Sequence, residues 1–346
     1  MHRIFVILAV AIGAFTLAAP AEAAPLRPGE LATREAVLAW INGYRAHRDP
    51  AHVPDAVKAM SRLGVFKDSE NAGAFVGFMA GVLAANPTRA EALVDRMLPL
   101  PPEDQWAVVQ AIAYSELPGW KNVLRSVAPK LPLRQRMIDK YLAGQLPTLD
   151  QAGFTKQPGA FAKLEGYLGF GDKQAKPVVL EPNPALLDVL WGYYCATGTF
   201  SPSISRLIAM MSWAKERDDV DKLTLGSMAK YTLASNAARD AKLLAMLKSV
   251  AKHYPKELKA NLDEVIEAAE TVDLARLHKQ ALASIEELKR KGPGYKRDVS
   301  LWGQIGQGAL ALGCIGAAAA GQIEFGIPCV VGGAVGSAGL HYWETQ

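Results

Sequence analysis

The chain ends in SLWGQIGQGALALGCIGAAAAGQIEFGIPCVVGGAVGSAGLHYW, residues 300–343, in which Glu324 is the one side chain that is fully charged at neutral pH. A break at residues 322–328 divides this stretch into two apolar halves. Each half comes close to the ~20 residues that a helix needs to cross a bilayer. The pattern predicts a C-terminal hydrophobic helical hairpin, rich in Gly and Ala, carried by a helical body.

Small residues recur along both arms of the hairpin. In the first arm Gly313, Ala317 and Gly321 are four residues apart, and in the second arm Gly332 and Gly336 have the same spacing. This spacing places small residues on one face of each helix, so that another helix backbone can approach closely. The sequence therefore predicts that these faces pack against each other, against the body or against a second copy.

Two cysteines lie on opposite sides of the predicted turn. Cys314 and Cys329 would come to similar heights in antiparallel arms, and a disulfide needs Cα atoms within about 7 Å. A bridge and two buried free thiols are both compatible with the sequence. The third cysteine, Cys195, is predicted to be a small buried side chain and not a nucleophile.

A basic segment precedes the hairpin, and aromatic residues close it. Trp343 fits an anchor at a membrane interface, although a packed C-terminus explains it as well. The cations of the basic segment would add attraction to an anionic surface. The cations of the segment are Lys289, Arg290, Lys291, Lys296 and Arg297.

The N-terminus has the pattern of a secretory signal. Arg3 gives a positive start, residues 4–17 form an apolar run, and residues 21–23 offer a small-residue cleavage site. A non-cleaved membrane anchor is the alternative. With cleavage, the mature chain would be exported to a periplasm or remain associated with a membrane.

Between these ends, apolar residues recur at helical spacing, with Pro or Gly at the breaks. We therefore predict an all-α fold of stacked short helices, arranged like a solenoid. Residues 178–180 read as a short extended segment. The predicted organisation is a signal peptide (1–23), an N-terminal helical domain (24–172), a proline-rich connector (173–184), a second helical domain (185–291), a basic linker (292–298) and the hairpin (299–346).

Several local signals refine the helical prediction. Gly73, Gly77 and Gly81 are four apart in a helix expected to begin at Glu70, and they favour close helix packing over phosphate binding, because no strand precedes them. Thr88 and Glu91 have the spacing of a capping box. Ser201 followed by Pro202 predicts a capped helix start, and residues 185–195 are apolar enough for a central helix.

Known catalytic and metal-binding patterns are weak in this sequence. His47 and His52 flank Asp49, which is more typical of a solvated turn than of a metal pair. Ser227 and Lys230 match an SxxK element, but residues 249–252 match it too, which favours helix surface. An acidic run at residues 216–221 alternates with cations and favours surface ion pairs over calcium. No cofactor is predicted.

The composition restricts the class of partner. Half of the residues are hydrophobic, and the net charge is +4 with the charges interspersed, so nucleic-acid binding is not expected. The sequence favours an exported scaffold or binding protein of the cell envelope, whose partner is another protein, its own copy or a membrane. A membrane-active protein and a periplasmic hydrolase are the alternatives, and an enzyme is the less favoured class.

Overall fold

The computed structural model describes residues 30–69, 72–152, 154–155, 179–180, 184–216, 220–254 and 256–271. The regular secondary structure of this part of the chain is helical apart from one pair of two-residue strands. The all-α prediction is therefore confirmed. The predicted signal peptide and hairpin lie outside the described residues, and the solenoid-like stacking stays a prediction.

Twelve α-helices account for most of the described chain, and short 3₁₀ turns join several of them. Their bounds are α1 Arg34–Gly43, α2 Val53–Arg62, α3 Gly73–Ala85, α4 Ala90–Met97, α5 Gln105–Tyr114, α6 Trp120–Val127, α7 Gln135–Leu142, α8 Pro184–Thr197, α9 Ser205–Met210, α10 Val220–Ala237, α11 Ala241–Ala251 and α12 Lys256–Thr271. Strand β1 (Phe154–Thr155) pairs antiparallel with β2 (Val179–Leu180), which confirms the predicted extended segment at residues 179–180.

Some helix ends follow directly from local chemistry. Thr33 caps α1 by accepting a hydrogen bond from the Ala36 amide at 3.1 Å. Gly64 ends the chain reversal after α2 with a φ of 68°, a left-handed conformation that glycine adopts without a Cβ clash. Asp240 caps α11 by accepting hydrogen bonds from the amides of Lys242 and Leu243.

Three predicted helix starts are wrong. Helix α3 begins at Gly73 and not at Glu70. The Thr88 capping box does not form, because Pro87 begins a 3₁₀ turn that contains Thr88, and α4 starts after this turn without a side-chain cap. Ser201 does not cap the α-helix either, because a π-helical turn at Phe200–Ile204 comes first and α9 begins only at Ser205.

Helices α3 and α8 form the centre of the fold. A Cβ atom on Gly77 would lie 2.0 Å from the Val189 carbonyl oxygen, and one on Gly192 would lie 1.9 Å from the Ala74 carbonyl oxygen. The two backbones therefore touch where glycine occurs on both helices. This contact confirms the structural interpretation of the glycines in α3 and the central position predicted for α8.

One hydrophobic core contains buried residues from both sides of the predicted connector. Trp191 and Tyr194 of α8 are among its largest fully buried side chains, together with Phe75 and Phe78 of α3. Most of the connector lies outside the described residues, so the division into two domains stays a prediction. The shared core places the end of α1 beside the end of α8, where the main polar cluster lies.

Candidate functional site

The residues that the sequence singles out for hairpin packing, disulfide formation and membrane contact all lie beyond residue 271, outside the described part of the chain. Their roles therefore stay predictions. They are Cys314, Cys329, Gly313, Ala317, Gly321, Gly332, Gly336, Lys289, Arg290, Lys291, Lys296, Arg297 and Trp343.

The structure shows one cluster of charged and polar groups between helices that are distant in sequence. Arg45, directly after α1, places Nη1 2.8 Å from the Tyr194 hydroxyl oxygen and 2.6 Å from a carboxylate oxygen of Asp240. The Tyr194 hydroxyl donates to the same carboxylate at 3.0 Å. The guanidinium carbon also lies 4.3 Å from the centre of the Tyr194 ring, where the ring attracts a cation.

This cluster shifts the ionisation of its members. Burial by itself would raise the pKa of Asp240, but the hydrogen bond and the charge of Arg45 outweigh it and lower the pKa below its ordinary value. Burial raises the pKa of Tyr194, so its phenol stays protonated and donates. The phenol, the guanidinium and the carboxylate bond to one another, which favours a structural role for the three groups, while Nε of Arg45 is buried without a hydrogen-bond partner.

Two further contacts hold the same pair of helix ends together. Arg48 donates from Nη2 to the Thr197 carbonyl oxygen at 2.6 Å. Gly198 has a φ of 67°, which lets the chain turn away after α8. Its missing side chain also leaves room for Arg45, because a Cβ there would lie 3.0 Å from Arg45 Cδ. The end of α1 is thus fixed to the end of α8 by two arginines.

Cys195 lies next to this cluster and is buried. Burial raises the pKa of its thiol to about 12, which leaves almost no thiolate at neutral pH. Its Sγ lies 3.6 Å from Oδ1 of Asn42, to which it donates. The prediction of a small buried side chain is confirmed.

The motifs that resemble known sites have other partners. Lys230 of the SxxK element forms an ion pair with Glu264 of α12, and it is mostly buried and not on the expected helix surface. His52 is likewise buried and paired with Asp49, not solvated, while His47 is exposed. Of the acidic run only Glu216 has a described side chain, and it is exposed.

Other buried polar groups also join helices. The Ser61 hydroxyl of α2 donates at 2.6 Å to the carboxylate of Asp104, the residue immediately before α5, and both residues are buried. Trp191 of α8 donates from its indole nitrogen to the Thr232 hydroxyl of α10 at 3.1 Å. Arg206 of α9 donates to the Leu149 carbonyl oxygen. These contacts connect elements and do not converge on one another.

Sequence reasoning missed the Arg45 cluster. Arg45 and Tyr194 are 149 positions apart, so no local pattern relates them. One signal was present: Asp240 precedes the helical run of α11 and has the residue type of an N-cap. That signal predicts the cap, but not the arginine that the carboxylate also binds.

Within the described residues, no group of three or more His, Cys, Asp or Glu side chains could hold a metal ion. In the same part of the chain, none of the helices combines the length and the apolar character needed to cross a membrane. Comparison with protein-family models, with curated proteins and with solved structures gives no match for this chain.

Proposed function

We propose that this chain is an exported helical scaffold or binding protein of the cell envelope, and that residues 299–346 serve membrane association or oligomer packing. The observation that carries the proposal is the use of half-buried ion pairs and buried polar groups as contacts between the described helices. Arg45, Tyr194 and Asp240 bind one another and thereby hold α1, α8 and α11 in place. A rigid body with fixed helix positions suits a protein that presents a surface to a partner.

The same pattern recurs at the other interhelical polar contacts. Lys230 and Glu264 join α10 to α12, and Ser61 and Asp104 join α2 to the start of α5. A catalytic acid or nucleophile needs a group whose reactivity is directed at a substrate. The groups at these contacts are directed at neighbouring helices, which supports a scaffold over a hydrolase.

The envelope location and the attachment rest on the sequence. The leader pattern at residues 1–23 supports export, and the smooth, uncharged arms at residues 299–346 support close helix contacts. Burial or self-association is favoured over spanning, because the arms are rich in Gly and Ala and carry few large apolar side chains. The basic linker would add attraction to an anionic surface.

Cell fractionation of the full chain and of a chain that ends at residue 298 tests the proposal. We expect the full chain to be processed near Ala24 and recovered with membranes or as an oligomer in cross-linking. The shortened chain should be exported too, but recovered as a soluble monomer. The variant Gly332→Leu/Gly336→Leu should reproduce part of that loss.

Alkaline carbonate extraction separates the two modes of attachment. Release of the full chain by carbonate indicates peripheral or protein-mediated association, and retention indicates insertion of the hairpin. A full chain that is soluble and monomeric, and that behaves like the shortened chain, would refute the proposed role of residues 299–346. An unprocessed chain in the cytoplasm would refute the envelope location.

A further inference from the structure

The helix pair α6 and α7 carries a concentration of positive charge. Residues 120–142 contain six cations and one carboxylate, Asp139, whereas the whole chain has a net charge of +4. Two of these cations are engaged by other parts of the body: Lys130 pairs with Asp95 at 2.6 Å, and Arg134 donates to the Pro102 carbonyl oxygen. The other four are Lys121, Arg125, Arg136 and Lys140.

These four cations lie on the outer sides of two neighbouring helices. Lys121 and Arg125 are four residues apart on α6, and Arg136 and Lys140 have the same spacing on α7, so each pair shares one helix face. All four side chains are exposed. The residues that α6 and α7 bury in the core are others: Leu124 and Val127 on α6, and Ile138 and Tyr141 on α7.

The start of α6 lies against the end of α7, so the two helices run antiparallel. Lys121 donates from Nζ to the Leu142 carbonyl oxygen at 3.3 Å, and the rings of Trp120 and Tyr141 meet edge to face with centroids 6.5 Å apart. With their inner faces in one core, the outer faces of the two helices form a single surface. We call Lys121, Arg125, Leu133, Arg136 and Lys140 the α6–α7 basic face.

An exposed leucine lies at the tip of this surface. Leu133, in the 3₁₀ turn that leads into α7, is 72% exposed, which sets it apart from the other large apolar side chains of the described residues. In sequence it lies three residues before Arg136 of the basic face. An apolar side chain among cations matches the boundary between anionic headgroups and acyl chains, where the cations bind phosphate and the apolar group enters the lipid.

We propose that the α6–α7 basic face docks on an anionic lipid surface, with Leu133 inserted at the headgroup boundary. The inference deepens the membrane association in the proposed function and rests on the proposed envelope location. It assigns the helical body a lipid contact of its own, separate from residues 289–346. Charge complementarity selects anionic over neutral lipid, and the exposed leucine selects a membrane over an acidic protein surface.

Vesicle co-sedimentation of the purified full chain tests this assignment. The vesicles are neutral phosphatidylcholine, or phosphatidylcholine with one quarter phosphatidylglycerol. We expect stronger partitioning to the anionic vesicles, and this preference should fall in high salt because mobile ions screen exposed charges. Binding to neutral vesicles measures any contribution of residues 299–346. The difference between the two vesicle types measures the contribution of the cations.

The variant Arg125→Gln/Arg136→Gln/Lys140→Gln removes three cations that hold no other helix in place. We expect it to weaken partitioning to anionic vesicles by about a hundredfold, since each charge near such a surface contributes roughly a factor of five. Binding to neutral vesicles should not change. Leu133→Ser should weaken binding to anionic vesicles by about tenfold while keeping every charge.

The matched control is Lys67→Gln/Lys242→Gln/Lys252→Gln, which removes three exposed cations elsewhere on the body. Equal loss in the two triple variants would show that net charge alone matters and would overturn the proposal. Equal binding of the full chain to neutral and anionic vesicles would overturn it too. Neither result bears on residues 299–346, which the fractionation of the shortened chain tests separately.

Discussion

Replacing Gly77 with alanine tests whether the contact between α3 and α8 determines the stability of the body. The new Cβ would lie 2.0 Å from the Val189 carbonyl oxygen, whereas ordinary contacts of a Cβ atom lie at 3.4–4 Å. The helices must therefore separate locally by more than about 1 Å, and a gap of that size forfeits up to about half of the dispersion attraction across it.

We expect Gly77→Ala to lower the free energy of unfolding by about 3 kcal/mol, the upper part of the range for an overpacked core. The midpoint of thermal unfolding should fall by roughly 6–12 °C, at about 2–4 °C for each kcal/mol in a body of this size. Urea unfolding followed by circular dichroism at 222 nm measures the first quantity, and a thermal scan measures the second.

Gly43→Ala is the matched control, because Gly43 also lies in a helix, but its added Cβ would meet nothing within 4 Å. We expect this variant to be neutral or more stable by up to about 1 kcal/mol. Gly192→Ala should be as damaging as Gly77→Ala, and Gly81→Ala should cost less because its shortest contact is 2.8 Å. Equal stability of Gly77→Ala and Gly43→Ala would refute the packing argument.

Four other predictions concern the polar groups. Asp240→Asn keeps a capping side chain but loses the charge that Arg45 binds, so its free energy of unfolding should be lower. In a double-mutant cycle with Arg45→Met, the coupling energy should be at least about 1 kcal/mol. Additive effects of the two substitutions would contradict the pairing. The pKa of Asp240 is lower in the folded chain than the unfolded value of about 3.9. The native protein should therefore exceed Asp240→Asn in free energy of unfolding by the full amount above pH ~3.9, and the difference should vanish as the pH falls through the folded pKa. Urea unfolding at each pH measures it. In a Cys314→Ser/Cys329→Ser background, Cys195 should resist iodoacetamide at pH 8 until the chain is unfolded, as followed by mass spectrometry; rapid native labelling would contradict its raised pKa. Ser61→Ala should cost about 1–3 kcal/mol by depriving the buried Asp104 carboxylate of its hydroxyl donor, and adding Asp104→Asn should recover part of the loss in the same urea assay; no recovery would place the role of Ser61 elsewhere.

The sequence predicts the helices well but their starts less well. Periodic apolar residues identify the helical segments because each must bury one face, and this requirement is local. The predicted starts at Thr88 and Ser201 are wrong because a 3₁₀ turn at Pro87–Arg89 and a π-helical turn at Phe200–Ile204 precede the α-helices. At Thr33 no proline intervenes, and the cap forms.

The polar cluster depends on contacts that no local sequence pattern indicates. Arg45, Tyr194 and Asp240 come from three separate segments, and only the fold brings their side chains within hydrogen-bond distance. The α6–α7 basic face has the same origin in part, since the sequence shows the cations, but their shared outer surface depends on which helix faces the core covers.

By itself, the sequence determined that the described body is helical and that glycines four apart in α3 permit a close neighbour, because helix periodicity and the absence of a Cβ are properties of the chain alone. The tertiary structure decided that this neighbour is α8, more than a hundred residues away, with its own Gly192 against Ala74. Partner choice depends on how two surfaces fit in space, and that fit is not a property of either segment taken singly.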